Sequence, residues 1–348
     1  MTDELLYLDR ADVAIACREI DPLAAVHEAL TMHADGLAVL GDESDFRWPS
    51  RDGGRVRTIS MPGSLLGDLD TVGVKIINAN PHNPEQGLPR ADGLLILFDF
   101  RTGRPVCVLE CAELSALRTA AVSTLAAQRL ATSPVGTVTV IGAGVLGRAH
   151  VELMVERLPG VERVLVCDRQ RSRAVALRDD LAPRLASVGA TIAVVDDPAT
   201  AIGHASVIVT TTVTTKSYIA RRALPPGVVA VNVSLDDFDD SVFLDSDRLY
   251  VDDWELVVAD QHRRLGKLAR AGRVSGPHEV AAAGKRRVDG TLGELLLGRC
   301  RGRGSPDDVV VVNPFGLAVH DLMFARLVLG VCVQRHLGTV LDRKGNQP

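Results

Sequence analysis

Gly142, Gly144 and Gly147 follow the apolar run Thr137-Val138-Thr139-Val140-Ile141 at the spacing of a dinucleotide-binding fingerprint, where a strand turns into a helix. Each glycine answers a separate need: Gly142 the tight turn, Gly144 close backbone approach to a pyrophosphate, and Gly147 packing of helix on strand. The phosphates would lie on the free N–H groups and positive end of the helix that follows. A second strand, Arg163 to Cys167, delivers Asp168, placed to bond ribose hydroxyls. Asp168 would repel a 2′-phosphate and so favours NAD, although Arg169 directly after it could welcome one. Ala143, Val145 and Leu146 between the glycines, and Thr211 at the end of a neighbouring strand, complete the candidate cofactor set.

A nucleotide domain needs something to oxidise or reduce, and three cations stand in or beside apolar elements. Arg57 lies in Val56-Arg57-Thr58-Ile59, Lys75 interrupts Gly73-Val74-Lys75-Ile76-Ile77, and Arg118 sits in Leu117-Arg118-Thr119-Ala120-Ala121. Buried cations are costly unless paired. Either each has a carboxylate partner within the protein, or together they await an anionic substrate, whose carboxylate suits the planar fork of arginine. Acids gather in Asp236-Asp237-Phe238-Asp239-Asp240, after a strand that ends near Val233, and one of Asp236 or Asp237 is the candidate for handling a proton there. The others would be solvated or would cap a helix. His82, in a turn, and His320, near the start of the last helix, could also carry protons, though a lone histidine is more often a spectator. Neither a Gly-x-Ser-x-Gly elbow nor a His-Glu-x-x-His zinc motif occurs.

These residues need two kinds of scaffold. The chain opens with a strand, Leu5 to Leu8, and two helices, with Asp12 expected to cap the first and Asp21-Pro22 to open the second. Phe46 to Arg57 reads as a polar, basic stretch whose arginines are mostly solvated. Strands at Val56 to Met61, Val72 to Ile77, Gly93 to Asp99 and Pro105 to Glu110, with short turns, predict a mostly antiparallel sheet. After an Ala-rich helix, Ser115 to Leu130, strands alternate with helices at Val135 to Ile141, Arg163 to Cys167, Thr191 to Val195, Ser206 to Thr211, Val228 to Val233 and Arg248 to Val251. That alternation predicts an α/β fold with a Rossmann-type doubly wound parallel sheet. Asp308 to Val312 adds a buried strand, and the apolar helix Leu317 to Leu337 is expected to return to the first domain. The expected organisation is therefore an α+β substrate-binding domain built from both chain ends, 1–131 with 315–348, around a nucleotide-binding domain at 132–314.

Composition bounds the function. A length of 348 residues with 46% hydrophobic and 24% charged content describes a globular protein with ample core. A net charge of -5 and 3% aromatic residues give no basic field and few stacking platforms for nucleic acid. No apolar run approaches a membrane span, and the first twenty residues, with five acids and two arginines, do not resemble a signal peptide. Six scattered cysteines read as reduced, mostly core thiols, which points to the cytoplasm. No metal site is expected.

Four segments together resemble the ornithine cyclodeaminase/mu-crystallin family over nearly the whole chain: Gly73-Val74-Lys75, Leu117-Arg118-Thr119-Ala120-Ala121, Ile141-Gly142-Ala143-Gly144 and Asn313-Pro314-Phe315-Gly316. Leu6-Tyr7-Leu8, Arg57-Thr58-Ile59-Ser60-Met61-Pro62, His82-Asn83-Pro84, Arg90-Ala91-Asp92-Gly93 and Val251-Asp252-Asp253-Trp254 look most like its branch that makes 2,3-diaminopropionate. The resemblance implies a homodimer whose first domains join their sheets, with NAD bound by the second. It implies Arg57, Lys75 and Arg118 as ligands of substrate carboxylates, and Thr119 near the cofactor. Asp236 falls where cyclodeaminases keep the acid that handles the substrate amine, Asp237 where the diaminopropionate branch has it. The reaction implied is oxidative cleavage of N-((2S)-2-amino-2-carboxyethyl)-L-glutamate to 2-oxoglutarate and L-2,3-diaminopropionate. Because acids stand at both positions, ornithine cyclodeamination stays open, as do ketimine or imine reduction and nucleotide-dependent binding without turnover.

Overall fold

The computed structural model describes residues 4–51, 53–280 and 284–343. They form two compact units that divide at Arg118/Thr119 and at Gly316/Leu317. The first division falls inside the helix Ala112–Leu130, not at the end of that helix near residue 131.

The unit made from both chain ends is an eight-stranded sheet with helices on one face. Its strand order runs Thr339–Asp342, Glu4–Leu8, Pro105–Glu110, Ala91–Phe98, Thr71–Ala79, Arg55–Leu65, Ala38–Leu40, and Ser44–Pro49 also pairs with Arg55–Leu65. Every pairing is antiparallel except that of Glu4–Leu8 with Pro105–Glu110. Burial alternates along Thr71–Ala79 and Ala91–Phe98, the period-two signature of a sheet with one covered face. The helix Ala318–Arg335 packs on Arg55–Leu65 and Thr71–Ala79. Gly73 permits that approach, because a Cβ there would stand 2.5 Å from Ile96 O and 2.9 Å from Leu322 Cδ2.

One local expectation is corrected and one is extended. Asp9, not Asp12, caps the first helix: its side chain accepts from the amides of Ala11 and Asp12, while Asp12 occupies the third helical position and closes a capping box. Within the polar stretch from Phe46 to Arg57, Arg47, Arg51 and Arg55 are exposed as expected, but a strand the sequence reading did not place is present, Ser44–Pro49 pairing antiparallel with Arg55–Ser60. Phe46 and Trp48 alternate along the first arm and stack with ring centroids 5.7 Å apart, and Arg47 bonds Asp45, so period-two patterning outweighs the polar composition.

The second unit is built on an eight-stranded, wholly parallel sheet. Its order is Thr191–Val194, Val161–Cys167, Gly136–Ile141, Val207–Thr210, Val229–Asn232, Val310–Asn313, Arg248–Val251, Gly290–Thr291. The chain starts mid-sheet, winds to one edge, then returns to Gly136–Ile141 and winds the other way. This reversal is the topological switch point at which open α/β sheets bind ligands. The central strands are buried from end to end, as sheets covered on both faces require. Among the described residues no helix is long and apolar enough to cross a membrane, and no cluster of His, Cys, Asp and Glu could hold a metal ion. Five of the six cysteines are buried, and all six are free.

The helix after the glycine turn, Val145–Arg157, is held by buried His150, whose Nδ1 lies 2.6 Å from Leu146 O and Nε2 2.9 Å from Ser123 Oγ. Since a carbonyl only accepts, Nδ1 carries the proton and Nε2 accepts from Ser123. Burial pushes the His150 pKa down from 6.5 to about 4. The unfolded chain therefore binds this proton first, so the stability is present above pH 6.5 and is lost as pH falls from 6.5 to about 4. At about 1.4 kcal/mol per pH unit, the loss amounts to roughly 3 kcal/mol. Urea unfolding of the parent and His150→Asn between pH 4 and 8 should show an acid slope that is shallower in the variant by the share of this one histidine.

Candidate active site

In the parallel unit the glycine turn is held from three sides. Gly142 has φ +110°, its N–H bonds Cys167 O at 2.8 Å, and Thr211 Oγ1 donates to Gly142 O at 3.0 Å. A Cβ on Gly147 would stand 1.9 Å from Gly142 O, so only glycine lets the helix start this close to the strand. At Gly144, the N-cap, a Cβ would meet nothing within 4 Å, and no side chain caps the helix. Val145 is exposed, and Leu146 half-buried beside it. Open space before an uncapped helix N-terminus fits a pyrophosphate. Asp168, at the end of Val161–Cys167, accepts the Ala143 N–H on Oδ2 and the Gln170 N–H on Oδ1, each at 2.8 Å. A carboxylate has about four lone-pair positions, which leaves it able to accept ribose hydroxyls as well. Arg169 is exposed, and Thr119 opens the unit half-buried in the helix Ala112–Leu130.

The two candidate acids differ sharply. Asp237 is fully buried, accepts from Thr212 Oγ1 at 2.9 Å and Tyr218 OH at 2.6 Å, and also bonds Ser234 Oγ. Burial and the Asp237 charge raise the Tyr218 pKa, so that phenol stays a donor. Asp236 is 8% exposed, its Oδ1 has no hydrogen-bond partner, and the nearest cation, Arg264 Nε, stands 3.9 Å away. Further along the sheet, buried Asp252 accepts the amides of Phe315 at 2.9 Å and Gly316 at 2.6 Å. Arg263 bonds Pro314 O at 2.7 Å and lies 4.2 Å from the Phe315 ring centroid. The segments Val251-Asp252-Asp253 and Asn313-Pro314-Phe315-Gly316, far apart in sequence, thus fasten one another.

In the other unit two of the three singled-out cations share one carboxylate. Lys75 Nζ lies 2.6 Å from Asp321 Oδ2, and Arg118 Nε 3.0 Å from Asp321 Oδ1. Lys75 is 1% exposed, Arg118 7% and Asp321 0%. Ser115 Oγ stands 3.5 Å from Lys75 Nζ. Burial, then the charge of Arg118, lower the Lys75 pKa, and Asp321 opposes both. Two cations against one anion leave a net charge of one in a buried place, an arrangement that can take up a carboxylate. Arg57 lies on the same sheet face, since Met61, four residues on, stands opposite Lys75. Of the two sequence alternatives, an internal partner therefore exists for Lys75 and Arg118. Asp321 was not among the candidates, although it is the only acid in the helix Ala318–Arg335.

The two histidines bond within their own turns. His320 Nδ1 accepts the Leu317 N–H at 3.2 Å, and burial, followed by Arg118, pushes its pKa well below the usual value. His82 reaches only across its own turn to Glu85, at 3.4 Å.

A model of the ornithine cyclodeaminase/mu-crystallin family matches residues 4–335. Among curated relatives, N-((2S)-2-amino-2-carboxyethyl)-L-glutamate dehydrogenase of Staphylococcus aureus is 30% identical, covering 98% of this chain and 99% of its own. The crystal structure of CmnK superposes with a TM-score of 0.90 at 36% identity, over 99% of this chain and 100% of that one. Delta(1)-pyrroline-2-carboxylate reductase of Thermococcus litoralis, solved with NADH and L-proline, shares the fold with a TM-score of 0.83 at 21% identity, over 96% and 99% of the two chains.

Removing the shared carboxylate leaves two buried cations uncompensated. Asp321→Ala should cost about 3–5 kcal/mol in denaturant unfolding. Adding Lys75→Met to Asp321→Leu should recover a large part of that loss, and a cost for Asp321→Ala below about 1 kcal/mol would contradict the buried pairing.

Proposed function

The chain belongs to the ornithine cyclodeaminase/mu-crystallin family, and from that premise we propose that it is an NAD-dependent dehydrogenase acting on a secondary amine. Its substrate is N-((2S)-2-amino-2-carboxyethyl)-L-glutamate, cleaved to 2-oxoglutarate and L-2,3-diaminopropionate. The observation that carries this reading is the pair Lys75 and Arg118 sharing the single carboxylate of Asp321, a buried site with one positive charge to spare. NAD⁺, when bound, supplies the hydride acceptor. Gly142, Ala143, Gly144, Val145, Leu146 and Gly147 hold its pyrophosphate, Asp168 its ribose, and Thr119 and Thr211 flank it, with Arg169 as the residue that would admit a 2′-phosphate. Arg57, Lys75 and Arg118 bind the substrate carboxylates and fix which C–H bond is presented, an orientation effect worth several kcal/mol. Asp237, or its neighbour Asp236, whose Oδ1 is unbonded, accepts the amine proton as the C–N bond becomes an imine. Water then hydrolyses that imine.

Asp236 also supports a second reading, ornithine cyclodeamination, in which the hydride returns to the substrate and no NADH accumulates. The homodimer belongs to the same proposal. The sheet face turned away from the helices carries Val74, Ile76, Leu94, Ile96, Val106 and Val108, with Leu94 39% and Val106 37% exposed, and a second copy would cover it. Sedimentation at the monomer mass would remove that part. The cytoplasmic location stays part of the proposal as well, resting on six free cysteines.

Purified protein given the adduct and NAD⁺ should produce NADH absorbance, with less from NADP⁺. Arg118→Ala should lower kcat/KM by about a hundredfold or more, the loss of a charge-assisted carboxylate contact. Ammonia from ornithine, with no NADH from the adduct, would overturn the dehydrogenase in favour of the cyclodeaminase.

A further inference from the structure

Arg90 is a cation to which the proposed chemistry gives no part, yet the strand order brings it beside one that the chemistry uses. Arg57 stands opposite Ala79, and Ala79 opposite Ala91, so three neighbouring strands set the start of Ala91–Phe98 in one row with Arg57. The connection before Ala91 fixes Arg90 in place. The Asn80 N–H donates to Arg90 O at 2.9 Å, and Asn83 Nδ2 donates to Pro89 O at 2.9 Å. The hairpin turn before Arg55–Leu65 is pressed onto this connection, because a Cβ on Gly54 would stand 2.5 Å from His82 Cδ2.

The acids nearest to Arg90 in the chain are already engaged. Glu85 pairs with His82 at 3.4 Å, and Asp92 pairs with Arg10 while its Oδ1 accepts the Gly93 N–H at 3.0 Å. Among the described residues no hydrogen bond or ion pair engages the Arg90 side chain. Arg90 keeps an exposed surface, yet the protein atoms around it, and then the positive charge of Arg57, lower its pKa from the usual arginine value. Like charges this close repel one another, and an anion between them relieves the repulsion. Two guanidinium groups offer a carboxylate more than one planar fork. Lys75 lies four residues before Ala79 on the same strand, about 13 Å along it. The arginine pair therefore stands apart from the Asp321 cluster, at a distance that long side chains and a dicarboxylic acid can bridge.

We propose that Arg90, together with Arg57, forms a second carboxylate subsite, which takes the side-chain carboxylate of the glutamate part of the substrate while Lys75 and Arg118 take the carboxylate beside the reacting carbon. Arg90 is thereby a specificity-determining residue, and the site selects dicarboxylic over monocarboxylic amino-acid derivatives. Gripping the glutamate part at both ends limits rotation of the carbon that gives up the hydride. Ornithine, with one carboxylate, leaves the arginine pair unfilled and brings an ammonium group that the pair repels. The inference rests on the dehydrogenase reading for the identity of the substrate, but not for the preference for two carboxylates.

The test compares the full chain with Arg90→Ala and Arg90→Lys on the adduct and on its glutamine analogue, in which a carboxamide replaces the side-chain carboxylate. The parent should favour the adduct by about tenfold or more in kcat/KM, the worth of a charge-assisted contact. Arg90→Ala should lower kcat/KM for the adduct by about tenfold and leave that for the analogue within about twofold. Arg90→Lys keeps the charge without the fork and should fall between. Losses of equal size on both substrates would mark a structural role and overturn the proposal, as would an Arg90→Ala enzyme that discriminates as the parent does. Binding without turnover separates the two readings. 2-Oxoglutarate should bind the parent about tenfold more tightly than 2-oxobutyrate, which lacks the second carboxylate, and Arg90→Ala should erase the difference. If the adduct yields no NADH while this preference and its loss are seen, the dehydrogenase reading fails and the subsite stands. A parent that binds the two acids alike, or binds neither, overturns the subsite whatever the enzyme turns over.

Discussion

A single buried carboxylate facing two buried cations is the constraint that organises the sheet-and-helix unit. Asp321 cannot be removed without stranding Lys75 and Arg118, and it cannot fully neutralise them. Desolvation disfavours every charge in such a place, and the lowered Lys75 pKa reflects it. The arrangement persists because the helix Ala318–Arg335 seats on glycine-bearing strands that allow it within reach of Lys75. Stability alone would be served as well by apolar side chains of similar volume. The proposed binding of a substrate carboxylate rests on this unequal charge.

The parallel unit solves a different problem, how to leave backbone groups free without leaving them disordered. Its glycine turn is tied by Cys167, Thr211 and Asp168, so the helix N-terminus is fixed in place without a side-chain cap, with open space beside Gly144. On the far side of the switch point, Asp252 and Arg263 fasten the Asn313-Pro314-Phe315-Gly316 segment through its own backbone. The turns after the third and sixth strands of the array are thus held in part by side-chain bonds to main chain, which tolerate little change in residue type.

Much of this was legible in the sequence because it rests on local patterns. Glycine spacing beside an apolar run marks the nucleotide turn, and uninterrupted valine-rich strands mark a sheet covered on both faces. Lys75 and Arg118 were legible as cations in apolar elements. What they meet was not, since Asp321 lies more than two hundred residues away and pairing at that range leaves no periodic trace. The hairpin at Ser44–Pro49 escaped for the opposite reason: its alternation of Phe46 and Trp48 is plain, but its charges resemble those of a connector. Asp236 and Asp237 are neighbours of one type, and only the folded positions of Tyr218, Thr212 and Ser234 separate an occupied acid from a vacant one.

The discontinuity of the sheet-and-helix unit bears on the order of assembly during synthesis. Lys75 and Arg118 leave the ribosome well before Asp321, with the entire parallel unit between them. That intervening unit is continuous and can form its core while the earlier strands still lack their covering helix. Two cations thus wait without a counter-ion until the last helix is made. Their repulsion works against premature closure of the nascent sheet, so the piece that finishes the fold is also the piece that makes its charge bearable.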